Sequence, residues 1–140
     1  MLAKNYILHS AQRIKPFSIS FRMKLFFLYL MSAFFIAAGI THFLKPGVFL
    51  GIMPKFLPYP LQLVYVSGAC EIIFAILLII PATRHIGAWL LILLLIAVFP
   101  ANIQMAVSFY QDKNPYLWIA FLRLPFQFLL IWGAWVYTKL

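Results

Sequence analysis

Four apolar runs, each about as long as a bilayer is thick, decide what this chain can fold into. They cover roughly Leu25–Phe43, Leu61–Ile80, His85–Ser108 and Tyr116–Tyr137. A helix needs ~20 mostly apolar residues to cross the hydrocarbon layer. Within that layer, only a helix or a closed barrel satisfies its own backbone hydrogen bonds. Runs of this length predict an all-α protein, a four-transmembrane-helix bundle. Composition agrees, since 66% of the residues are hydrophobic and 9% are charged, against ~25% charged in a soluble domain.

The formal net charge is +9. In a soluble chain that would suggest nucleic acid. Here the basic residues flank apolar runs, where they meet anionic headgroups and set orientation, so no nucleic-acid partner is expected and the partner is the lipid bilayer. With both termini cytoplasmic, the inner side holds Lys4, Arg13, Lys15, Arg22, Lys24, Arg84 and Lys139, and the outer side holds Lys45, Lys55 and Lys113. The excess favours that orientation. Trp89, Trp118, Trp132, Trp135, Tyr116 and Tyr137 lie near span ends, as interfacial anchors do. The expected location is a membrane, the bacterial inner membrane in particular.

Residues 1–24 form a basic leader without an acid, and residues 25–140 the membrane domain. The leader reads as an amphipathic surface segment or as the product of a mis-assigned start, with Met23-Lys24 as the true beginning. A transit peptide is the weaker third reading. The first run could serve as a secretory signal with Ala37-Ala38-Gly39 as cleavage site. Because patterned residues continue through Gly39 and His42, a retained helix is preferred. The segment Leu44–Pro60 holds Pro46, Pro54, Pro58 and Pro60 and should interrupt regular helix. It is also apolar, so it is expected to fold back on the bundle mouth or dip into the interface as a cap. The single cysteine, Cys70, excludes an internal disulfide and a CxxC motif, and no metal-ligand cluster is visible.

Only two residues are acidic, and one of them, Glu71, sits inside the second run. An ionisable group at that depth is rare and suggests a functional site with a partner. The candidate partner is Arg123, the basic residue inside the fourth run. At ~1.5 Å of rise per residue, Glu71 lies roughly 15 Å, Asn102 roughly 9 Å and Arg123 roughly 10 Å below the outer surface. His42 falls at the outer end of the first run, and Gln127 is one turn beyond Arg123 on the same face. Pro100 and Pro125 interrupt two runs at similar depth and should free the carbonyls of Ile96 and Phe121. Such carbonyls persist at membrane depth only under protein or beside a wet cavity. The candidate ligand-binding pocket is therefore Glu71, Arg123, Asn102, Gln127 and His42, in the outer half. A bland reading stands beside it, in which a buried Glu71–Arg123 pair only fixes helix register. Ser67-Gly68-Ala69 reads as a close-packing helix face.

Six segments, in this order, resemble the DoxX-like family of small bacterial membrane proteins. They are Gly39-Ile40-Thr41-His42-Phe43 with Pro46, Met53-Pro54-Lys55-Phe56-Leu57-Pro58, Ser67-Gly68-Ala69-Cys70-Glu71, Pro81-Ala82-Thr83-Arg84, Phe99-Pro100-Ala101-Asn102, and Arg123-Leu124-Pro125-Phe126-Gln127. Each is short, and the specificity lies in their joint order over Leu25–Tyr137. The resemblance implies a four-helix membrane bundle with Glu71, Asn102, Arg123 and Gln127 as a shared polar core. The family takes its name from the membrane subunit of a thiosulfate:quinone oxidoreductase. This makes quinone the candidate cofactor and a soluble redox protein or a second copy of the chain the candidate partner. The leading expectation is a quinone-interacting membrane subunit of a redox complex, with Glu71 handling a proton and Asn102 and Gln127 bonding a ligand carbonyl. A non-enzymatic scaffold or assembly factor is the alternative, and a small transporter the third. Whether the chain is itself an enzyme is left open, because no haem, iron–sulfur or flavin motif is present.

Overall fold

The computed structural model describes residues 20–140. Most of the expected leader, residues 1–19, lies outside the described residues, and the readings that rest on it are not taken further. Five helices follow in order: α1 (Phe21–Leu44), α2 (Pro46–Leu50), α3 (Pro60–Ile79), α4 (Arg84–Gln111) and α5 (Leu117–Tyr137). No strand occurs among the described residues. Four of these helices are long and apolar enough to cross a membrane. The chain is an all-α, four-transmembrane-helix bundle.

The expected ends hold to within a few residues. The first helix begins at Phe21, four residues before the expected start of the first run. Pro46 also behaves differently from expectation. It starts α2 instead of preventing helix, because a proline at the first helical position lacks only an N–H that has no partner there anyway. The remainder of the cap is turns.

The packing is inside-out relative to a soluble protein. Phe26, Leu93 and Phe128 are exposed, whereas Ser32, His42, Asn102 and Gln127 are buried. One apolar core layer, with Leu28, Phe35, Ala75, Leu78, Leu91 and Ala134, fills the bundle toward the Lys24 end. A second, smaller layer of Ile52, Met105, Ala106 and Ala120 sits near the cap. Ser32 lies within the first layer, while His42, Asn102 and Gln127 line a common cavity.

Three seams of the bundle are close-packed: α1 on α3, α3 on α4 and α4 on α5. Without a hydrophobic drive inside lipid, small residues let helix backbones touch. A Cβ placed on Gly39 would lie 2.6 Å from the Gly68 carbonyl oxygen, and one placed on Gly68 would lie 2.6 Å from His42 Cβ. At the next seam, a Cβ on Gly87 would meet the Leu78 backbone nitrogen at 2.6 Å. The turn before α4 is tied from within. Thr83 Oγ1 donates to the Leu77 carbonyl at 2.9 Å, and Arg84 donates to the carbonyls of Leu78 at 3.2 Å and Ile79 at 3.3 Å. These bonds satisfy carbonyls at the end of α3 that its own helix leaves free.

The fourth seam, between the first and last helices, is bridged by side chains. Tyr137 Oη donates to the Lys24 carbonyl at 2.8 Å. Phe34 meets Phe126 edge to face, with ring centroids 5.7 Å apart.

Candidate functional site

The Gly39–Gly68 crossing builds the site. The helices α1 and α3 run antiparallel, so Gly68 faces His42 and Gly39 faces Glu71: a Cβ on Gly68 would lie 2.6 Å from His42 Cβ, and one on Gly39 would lie 3.3 Å from Glu71 Cβ. Each glycine makes room for the other helix's side chain, so His42 and Glu71 enter the same crossing about one turn apart and reach each other through their side-chain ends. His42 Nδ1 lies 3.5 Å from Glu71 Oε2, the one ion-pair contact among the described residues. His42 Nδ1 also sits 2.9 Å from the Ala38 carbonyl oxygen, which can only accept, so this nitrogen carries the proton. That stronger bond leaves Glu71 Oε2 buried with no hydrogen-bond partner among the described residues. On its other side the His42 ring stacks on Phe49 of the cap, centroids 3.7 Å apart and planes 19° from parallel.

This arrangement corrects the expected pairing. No nitrogen of Arg123 reaches ion-pair distance of Glu71, and the acid's ionic neighbour is His42. Both charged side chains instead border one cavity of about 430 Å³, lined also by His42, Asn102 and Gln127. The five candidate residues thus surround a single space. Phe49, Ile52 and Met53 of the cap complete its wall. Among the described residues, Arg123 makes no hydrogen bond or ion pair, although its guanidinium carries five donors.

Asn102 and Gln127 serve the bundle. Asn102 Nδ2 donates to Gln127 Oε1 at 2.6 Å, and Gln127 Nε2 donates to the Leu95 carbonyl. Pro100 and Pro125 both lie inside helices that continue through them. A proline removes a backbone donor and crowds the carbonyl preceding it by four. The acceptor that receives a side-chain donor is Leu95, one residue before the expected Ile96. The network ties α4 to α5 at the floor of the cavity. Gln127 therefore commits its carbonyl and one N–H to the fold, which removes most of the role expected for it toward a ligand carbonyl.

Phe49, Ile52 and Met53 stand where the expected cap would put them, and the stacking of Phe49 on His42 is the contact the sequence did not signal. Ser67 borders the cavity on the Glu71 side, but its hydroxyl donates to the Val64 carbonyl at 3.1 Å and is satisfied within its own helix. No group of His, Cys, Asp and Glu residues able to hold a metal occurs among the described residues. What remains is a mainly apolar chamber with one unpartnered carboxyl oxygen and one unpartnered guanidinium. A molecule that fits it must be largely apolar, with an acceptor for Arg123 and a donor for Glu71.

The model of one protein family, described as a domain of unknown function (DUF8561), matches residues 31–138. No curated protein matches the chain. No solved structure matches it.

Proposed function

Because the chain belongs to the DUF8561 family, whose function is unknown, its chemistry has to be argued from its own residues, and we propose that it is an integral membrane protein binding a quinone-type molecule in the Glu71–Arg123 chamber. The observation that carries this reading is the buried Glu71 carboxyl oxygen without a hydrogen-bond partner, bordering the same apolar space as the half-buried Arg123 guanidinium. A buried pair that only fixed register would be satisfied internally, because a lone charge at membrane depth costs several kcal/mol. A quinone ring supplies acceptors on its carbonyls and, once reduced, donors on its hydroxyls. Arg123 would hold an oxygen of the ring, and Glu71 would accept or return the proton at the other.

Reduction of a quinone to a quinol takes two electrons and two protons. No electron-carrying group is implied by the chain, so the two electrons would come from a soluble redox partner. Glu71 would pass one proton to the ring oxygen it faces. The second would reach the oxygen held by Arg123 from water at the chamber mouth, since a guanidinium does not release its own. The likeness to the DoxX-like family supports the same direction.

The test is purification with native lipids, followed by solvent extraction and mass spectrometry. Wild type is expected to carry quinone, and Glu71→Gln and Arg123→Leu to carry at least tenfold less while remaining folded. If neither the wild type nor Glu71→Gln carries or binds a quinone, the reading fails.

A further inference from the structure

We propose that the seam between α1 and α5 is a lateral port from the bilayer into the chamber, and that it holds the isoprenoid tail of a bound quinone. This assignment rests on the reading above and extends it to the route and to the part of the molecule that is recognised.

The seam contains a second cavity, of about 690 Å³. Its walls come from the first and last helices, with Phe27, Leu30, Leu129 and Val136 among them. Phe34, Phe126 and Leu130 line both this groove and the polar chamber. The two spaces are therefore neighbours separated by the edge-to-face pair Phe34–Phe126. At the far end, the Tyr137 to Lys24 bond closes the groove. Between Met23 and Phe34 the groove runs about 16 Å along α1 at the helical rise. The α1–α3 and α3–α4 seams are backbone-tight and the α4–α5 seam is close-packed and tied by the Asn102 and Gln127 bonds, so the α1–α5 seam is the loosest side of the bundle.

The depth of the junction selects the occupant. Phe34 stands near the middle of the 24-residue α1, so a head group passing between groove and chamber crosses at hydrocarbon depth. A phospholipid head carries a phosphate charge and pays heavily there. It is also bound to the interface by its glycerol. A quinone ring is neutral and can enter at that depth. Once its ring lies against Glu71 and Arg123, its tail has an apolar continuation past Phe34, Phe126 and Leu130, which border both spaces, into the groove.

Gly133 provides the means of testing this. It lines the groove, and a Cβ built on it meets only Met31 Sδ, at an ordinary 3.5 Å. A larger side chain can therefore be added there to fill the groove without touching the chamber. The full chain is reconstituted in nanodiscs and titrated with two probes: a dimethoxy-methyl-benzoquinone carrying a decyl tail, and the same ring without a tail. Affinities are expressed per membrane mole fraction, which removes the difference in partitioning. Wild type is expected to bind the decyl probe at least tenfold more tightly. Gly133→Phe is expected to abolish that preference and leave binding of the tailless ring unchanged. Retained binding of the tailless ring also reports that the variant is folded, and Gly133→Leu gives a milder filling of the same space. Equal affinities in the wild type, or an undiminished preference in a folded Gly133→Phe, overturn the port while leaving the chamber intact. Absence of binding by either probe to wild type overturns both.

Discussion

Gly68→Ala is the sharpest test of how the site is built. The new methyl carbon would start 2.6 Å from His42 Cβ and 2.9 Å from the Gly39 carbonyl oxygen, whereas ordinary contact begins at 3.4 Å. Neither obstacle is the free end of a flexible side chain, so the α1 and α3 backbones have to separate. Overpacking of this kind typically costs about 1–3 kcal/mol. The same separation moves His42 from Glu71, because His42 packs on Gly68 and Glu71 on Gly39 across this contact. The expected result is a clearly lower unfolding midpoint in detergent, with loss of quinone from the purified protein. Gly47→Ala is the matched control. A Cβ at Gly47 meets nothing within 4 Å, and no glycine in the described residues has positive φ. Its backbone is compatible with alanine, so it should be neutral or gain about 0.4–1 kcal/mol through the unfolded state. Equal stability of Gly68→Ala and Gly47→Ala would falsify the crossing argument, and with it the explanation of why His42 and Glu71 meet.

Gln127→Leu removes two buried bonds at once and leaves the Leu95 carbonyl without its side-chain donor. Side-chain bonds between membrane helices average ~0.6 kcal/mol and reach ~1.7, so a loss of about 1–3 kcal/mol is expected in a reversible unfolding titration. Arg84→Leu frees the carbonyls of Leu78 and Ile79 at the end of α3. It should lower stability by about 1–2 kcal/mol without changing quinone content. Tyr137→Phe deletes the one side-chain hydrogen bond between α1 and α5. A decrease of about 0.5–1.5 kcal/mol is expected, together with faster exchange of the decyl probe measured by stopped flow.

The number of spans and their approximate ends could be read from the chain because hydropathy at membrane depth is a strict requirement. The polar set could be read for the same reason, since Glu71, Arg123, Asn102 and Gln127 each stand out in apolar surroundings. Their partners were less accessible. Charge matching pointed Glu71 at Arg123, but the geometry is dictated by two glycines, and the helices they join carry His42 and Glu71. A signal for this was present in the equal spacing of Gly39 to His42 and Gly68 to Glu71. The role of Gln127 was obscured because the acceptor it reaches lies on another helix, 32 positions away in sequence. Pro46 misled because proline both breaks and begins helices, and local sequence alone does not separate the two. The groove between α1 and α5 leaves no mark in sequence, since it arises where two apolar helices fail to approach.

The three tight seams join helices that are neighbours along the chain, but the loose one joins the two ends. Its hydrogen bond links positions 113 residues apart. During synthesis, α1, α3 and α4 can therefore pack as they emerge, and the ring cannot shut until the final span has left the translocation machinery. Until that moment the face of the nascent protein that will border the groove stays in contact with bulk lipid. Molecules already dissolved in the membrane can be captured as the last helix swings in.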